Sequence, residues 1–183
     1  MTINTITLQL EGEQISAQVL YYRIKNFVDI LHDVARNIGE ELDPPIPTSA
    51  PVKWIVDSIR SDSPVTMTLR PEPVVEKTLL DVSERVVNTV ATGFAVLQTE
   101  TTALDLPRHF SLRILEDVHH LIRRGSDGIT GVTVRTPDRA ISFSGQADQN
   151  IRRFLNPAYE SYGSVEGILE MVSAAGSMPR FSV

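Results

Sequence analysis

Residues 52–71 read VKWIVDSIRSDSPVTMTLRP, and the fold turns on them. Val52, Trp54 and Val56 occupy alternate positions of the first half, and Val65, Met67 and Leu69 alternate with Thr66, Thr68 and Arg70 in the second. A two-residue apolar period is that of a strand with one buried face, and SDSP between the two runs has the chemistry of a turn. The stretch is therefore a hairpin, which makes its sheet locally antiparallel. Trp54, on the apolar face, belongs to the core by this reading rather than to a ligand-stacking platform.

Working toward the N-terminus, TITLQLEG (5–12) alternates in the same way, with Ile6, Leu8 and Leu10 on one face and Thr5, Thr7 and Gln9 on the other. Ser16 has the chemistry of a helix N-cap. The helix it opens is expected to run to about Gly39, because Leu20, Ile24, Phe27, Leu31, Val34 and Ile38 recur at three- and four-residue spacing. The stripe is too short for a coiled-coil seam, so it is read as packing on its own sheet. EELDPPIPTSAP (40–51), with four prolines, is a connector.

Toward the C-terminus, Pro73 is expected in the first turn of a second helix carrying Val75, Leu79, Val82, Val86 and Val90 on one side. TETTALDLPRHF (99–110) is an internal seam, which divides the chain into a strand–helix–hairpin–helix unit over 1–103 and a helix–hairpin–helix–hairpin unit over 104–183, or joins them in one continuous domain. Pro107 is expected to open a third helix through Arg124, with Leu112, Leu115, Val118 and Ile122 as its buried ridge and Gly125 after it. ITGVTVRTPDRAISFSG (129–145) is a second hairpin turning at Pro137-Asp138. ADQNIRRFL (147–155) is a short helix stopped by Asn156-Pro157, and SVEGILEMVSAAGSMPRFSV (164–183) is a closing hairpin. Hairpins and helices occur without regular strand–helix–strand alternation, which predicts an α+β fold of mostly antiparallel strands with helices packed on one face.

Composition narrows the function classes. Of the 183 residues, 42% are hydrophobic and 22% charged, the balance of a globular chain. The absence of cysteine removes disulfides, thiol nucleophiles and thiolate metal sites, and fits a reducing compartment. The N-terminal residues lack the pattern of a signal peptide and no apolar run is long enough to span a membrane, so the expected location is cytoplasmic. A net charge of −6 disfavours broad attraction to nucleic acid or anionic lipid.

EDVHHLIRRGSDG (116–128) is the densest group of ionisable side chains. Glu116 and His120 are four apart, a spacing that can hold two ligands of one metal, but no third ligand is evident and a metal-assisted hydrolase around Glu116, His119 and His120 is only a third choice. His119 as a general base would need an orienting partner and a pocket. His32, between Asp29 and Asp33, reads as an exposed polar edge of the first helix. Arg123, Arg124, Arg152 and Arg153 form two basic pairs near helix ends, where cations suit the helix dipole without any ligand; if the pairs converge they make an anion site. RRGSDGITG has its glycines after a helix rather than between a strand and a helix, so it is not a phosphate loop. No G-x-S-x-G occurs, and neither a catalytic residue nor a cofactor is assigned.

In YGSVEGILE (162–170), Val165 and Leu169 share a strand face with Met171, and the glycines permit a bend. This stretch resembles a YGSVEGxLE-like strand segment of uncharacterised bacterial proteins, in which further strands follow, and WIVDSIRSDSPVTMTLRP is similar to an earlier hairpin of those proteins. The resemblance implies no activity. A closing ribbon without further strands leaves an edge of unpaired backbone groups, which recruits a neighbour or needs protection. The leading expectation is a non-enzymatic interaction or assembly module that binds a protein partner or self-associates, with Val165, Leu169, Met171 and Phe181 at the interface. Nucleic-acid or nucleotide binding through the four arginines is the alternative, weakened by the acidic balance and few aromatics.

Overall fold

The computed structural model describes residues 4–42, 45, 52–73, 79–99, 106–123, 128–156, 171–173 and 180–182. The chain forms β1 (Ile6–Gly12), α1 (Ala17–Glu40), β2 (Val52–Arg60), β3 (Val65–Pro73), α2 (Leu79–Leu97), α3 (Leu112–Ile122), β4 (Ile129–Arg135), β5 (Ala140–Ser142), α4 (Gly145–Leu155), β6 (Met171–Ser173) and β7 (Arg180–Ser182). β1 to β5 make one antiparallel sheet in the order β2-β3-β1-β4-β5, and β6 pairs with β7 in a separate ribbon. The fold is α+β, with the helices on one face of the sheet. The sheet takes strands from both sides of position 103, since β1 pairs with β3 and with β4.

Register explains why the two faces differ. Leu8 stands opposite Met67 on one side and Val134 on the other, and Leu10 opposite Val65 and Val132. Directly opposed residues share a face, so these side chains form one apolar row after another beneath the helices, where Ile6, Leu8, Leu10, Leu69 and Val134 are buried. The other face is polar. Thr7 bonds Thr68 at 3.0 Å, Thr133 bonds Ser142 at 2.8 Å, and the Arg135 Nε donates to Gln9 Oε1 at 2.8 Å.

Ser16 caps α1, accepting from the amide of Val19, and Phe27, Leu31, Val34 and Ile38 of its stripe are fully buried. Asp33, expected on an exposed edge, is instead buried, gripped by Arg36 at 2.8 Å and by Arg113 of α3 at 3.1 Å. The antiparallel pairing of α1 with α3 covers that edge.

Two expected helix starts are displaced. Pro73 ends β3, opposite Val52. A proline is tolerated there because β1 pairs with β3 only as far as Leu69, so the missing N–H breaks no ladder on that side. α3 begins at Leu112, not Pro107: Ser111 caps it through the amide of Ile114, while Pro107 belongs to a turn closed by the Phe110 amide at 2.8 Å. Leu112 is consequently exposed, whereas Leu115, Val118 and Ile122 are buried. At 100° per residue, Leu112 lies about 120° round the helix from the middle of the full buried set of Ile114, Leu115, Val118, Leu121 and Ile122. Position 75, Gly125 and residues 157–170 of the closing segment lie outside the described residues.

Candidate functional site

α3 and α4 pack together and bring the ionisable residues of the second half into one neighbourhood. His119 projects from the last turn of α3, and Asp148 and Arg152 lie on successive turns of α4. The His119 Nδ1 stands 3.0 Å from Asp148 Oδ1 without forming a directed hydrogen bond, and Asp148 Oδ2 accepts from Arg152 Nε at 2.9 Å. Burial is the main force lowering the His119 pKa; Asp148 opposes it, and Arg152, His120 and Arg123 push it down further. His119 therefore has a neighbouring carboxylate that spacing alone did not reveal, close enough to act through its charge but not hydrogen-bonded to its ring. Beside it is a cavity of about 90 Å³ lined by Ile122, Ser144, Gly145 and Asp148, with room for a few waters.

Of the four arginines proposed as an anion grip, Arg123 and Arg152 both bear on His119. Arg153 is exposed on α4, and Arg124 lies outside the described residues. Ser144, the residue before α4, leaves that helix without a side-chain cap because its Oγ donates to Gln98 Oε1 at 3.0 Å. Asp148 offsets part of the positive charge. Glu116 and His120 are exposed, and among the described residues no group of three or more His, Asp or Glu side chains has the geometry to hold a metal ion. A second cavity, about 460 Å³ and open, lies where β1 meets the β2–β3 turn, with Glu11, Glu13, Ser63 and Thr130 in its wall.

Of the closing-ribbon positions, Val165 and Leu169 lie outside the described residues. Met171 is opposite Ser182 and Phe181 opposite Val172, so positions 171 and 181 belong to opposite faces of the ribbon.

The open edge of the main sheet is a feature that hairpin reading could not supply. β2 is a nine-residue strand that, among the described residues, pairs only with β3. Val56 and Ile59 fall on the helix-side face, opposite Leu69 and Met67, yet are 49% and 57% exposed because no described strand lies beyond them. The other edge, β5, is three residues long. Charged groups flank the apolar pair: Lys53 bonds Glu72 at 3.0 Å, and Asp57 lies 3.6 Å from Arg70. No helix among the described residues is long and apolar enough to cross a membrane. No family model, curated protein or solved structure matches the chain.

Proposed function

We propose that this chain is a cytoplasmic, non-enzymatic interaction module that assembles through the outer edge of β2. The carrying observation is the coincidence on β2 of a backbone edge that no described strand pairs with and exposed Val56 and Ile59. Strand addition supplies affinity through main-chain hydrogen bonds and specificity through alternate side chains, and both components are present on this edge. Light scattering on the native chain across a concentration series tests the reading: self-association or a stoichiometric protein complex is expected, and Val56→Lys with Ile59→Lys should weaken it at least about tenfold. A monomer at all concentrations that binds no protein partner would remove the proposal.

A second reading is an anion site at the α3–α4 contact, supported by Arg123 and Arg152 both bearing on His119 beside an N-terminus without a side-chain cap. It predicts nucleotide or phosphate binding that weakens with salt and on replacing Arg123, Arg124, Arg152 and Arg153. Asp148, bonded to Arg152, makes this the weaker reading.

A further inference from the structure

β2 carries its charges in an order that is complementary to itself. Its outer-face positions up to the bulge are Lys53, Ile55 and Asp57: Lys53 stands opposite Glu72 and Ile55 opposite Arg70, while the Asp57 carboxylate reaches the Arg70 guanidinium. The register shift falls between Val56 and Ser58 and leaves Asp57 without a directly opposed residue on β3; the alternation is regular from 52 to 56, and the contact with Arg70 puts the Asp57 carboxylate on the face of Lys53 and Ile55. An antiparallel, two-fold pairing of this segment with a second copy has an axis at one residue, and the choice of axis decides which charges meet.

With the axis at Ile55, residue 53 of each copy falls opposite residue 57 of the other. Lys53 then faces Asp57 twice, Ile55 faces Ile55, and Trp54 faces Val56 on the helix-side face. The pairs already present within each chain extend this into two rows of alternating sign: Glu72, Lys53, Asp57 and Arg70, the first two from one copy and the last two from the other. Opposite charges directly across a strand pair are favourable and like charges are not. Moving the axis to Asp57 would put two carboxylates face to face.

We propose that β2 pairs with β2 of a second copy of this chain about a two-fold axis at Ile55, joining two five-stranded sheets into one ten-stranded antiparallel sheet. This rests on the β2-edge reading above and commits it to one partner. Charged side chains on an edge strand also serve to repel strange strands; here the same charges exclude most partners and registers while matching an identical edge, which is how specificity is built.

The test uses charge exchange on the full chain. Lys53→Asp and Asp57→Lys each replace both attractive contacts by repulsive ones, and each should weaken the dimer about tenfold or more, whereas the double exchange restores opposite signs and should recover it. Both side chains are solvent-exposed, and circular dichroism confirms that each variant is folded. The chain has no cysteine, so Ile55→Cys is a clean probe: it should cross-link with itself under mild oxidation, and Arg60→Cys should not, because in this register the two copies of residue 60 are about 30 Å apart. A native monomer that binds some other protein through β2 would overturn the second-copy proposal and leave the edge reading standing. A native dimer indifferent to both charge exchanges, without an Ile55→Cys cross-link, would overturn the register while self-association stood. A monomer with no partner would overturn both.

Discussion

At Gly93, toward the C-terminal end of α2, a Cβ atom would overlap the Phe110 ring, less than 3.0 Å from three of its carbons. That ring packs edge-on against Phe94 at a centroid distance of 6.2 Å, so the lost propensity of a helical glycine is offset by an aromatic contact that no larger residue permits. Gly93→Ala should lower stability by about 1–3 kcal/mol, measured by denaturant unfolding, despite the better helix former. Two titratable residues give opposite pH signatures. Asp117 is held above the usual carboxylate pKa by burial first, then by the charges of Asp29 and Asp33. A raised folded value means that its contribution is fully present below the unfolded-state pKa and lost as pH rises through the folded one. Asp117→Asn should therefore raise Tm near neutral pH, with the gain vanishing below about pH 4. His119, lowered chiefly by burial, contributes stability that is present above about pH 6.5 and lost as pH falls through its folded value; His119→Gln should flatten that acid limb of the Tm profile. At this scale the sequence was partly legible. Period and polarity identified Ile6, Leu8, Leu10, Phe27 and Val134 as core, but the His119–Asp148 contact joins residues 29 apart through packing of two helices, which no spacing rule reaches.

The C-terminal ends of α3 and α2 are finished by side chains from other helices. Arg23 of α1, buried, donates to the carbonyls of His120, Leu121 and Arg123 at the C-terminus of α3, the groups that a helix leaves unsatisfied and where a cation suits the dipole. Asn150 of α4, 1% exposed, does the same for α2, donating to Leu97 at 3.0 Å and Thr99 at 2.5 Å. Asn150→Ala should cost about 1–3 kcal/mol, because it strands buried acceptors; retained helicity with an unchanged unfolding midpoint would contradict this role. The N-terminal caps were readable at Ser16 because a serine precedes a regular apolar stripe. They were not readable at Ser111, where Pro107 offers an equally good start and only the turn at 107–110 decides between them. Pro73 misleads for a related reason: a proline suits both a first helical turn and a strand end beyond its neighbour's reach, and which applies depends on where β1 stops.

For the molecule as a whole, the alternating runs predicted antiparallel hairpins covered by helices, and the α+β fold has that form. The strand order did not follow from pattern. Hairpins fix β2 beside β3 and β4 beside β5, but the insertion of β1 between them is a tertiary choice. Close backbone approach contributes to it: a Cβ on Gly12 would collide with the carbonyl of Gly128, whose φ is +81°, so small residues let β1 and the start of β4 meet. Because order decides which strand is the edge, the exposure of Val56 and Ile59 was hidden from sequence reading, which looked to the closing ribbon instead. Amide hydrogen exchange of the native chain, followed on dilution, is the most direct measurement of the proposed role of β2. The account predicts that amides in residues 52–57 are protected at high concentration and exchange faster as the chain is diluted, while β1 and β4 are unaffected. Exchange in β2 that is independent of concentration, and unchanged by any bound protein, would contradict it.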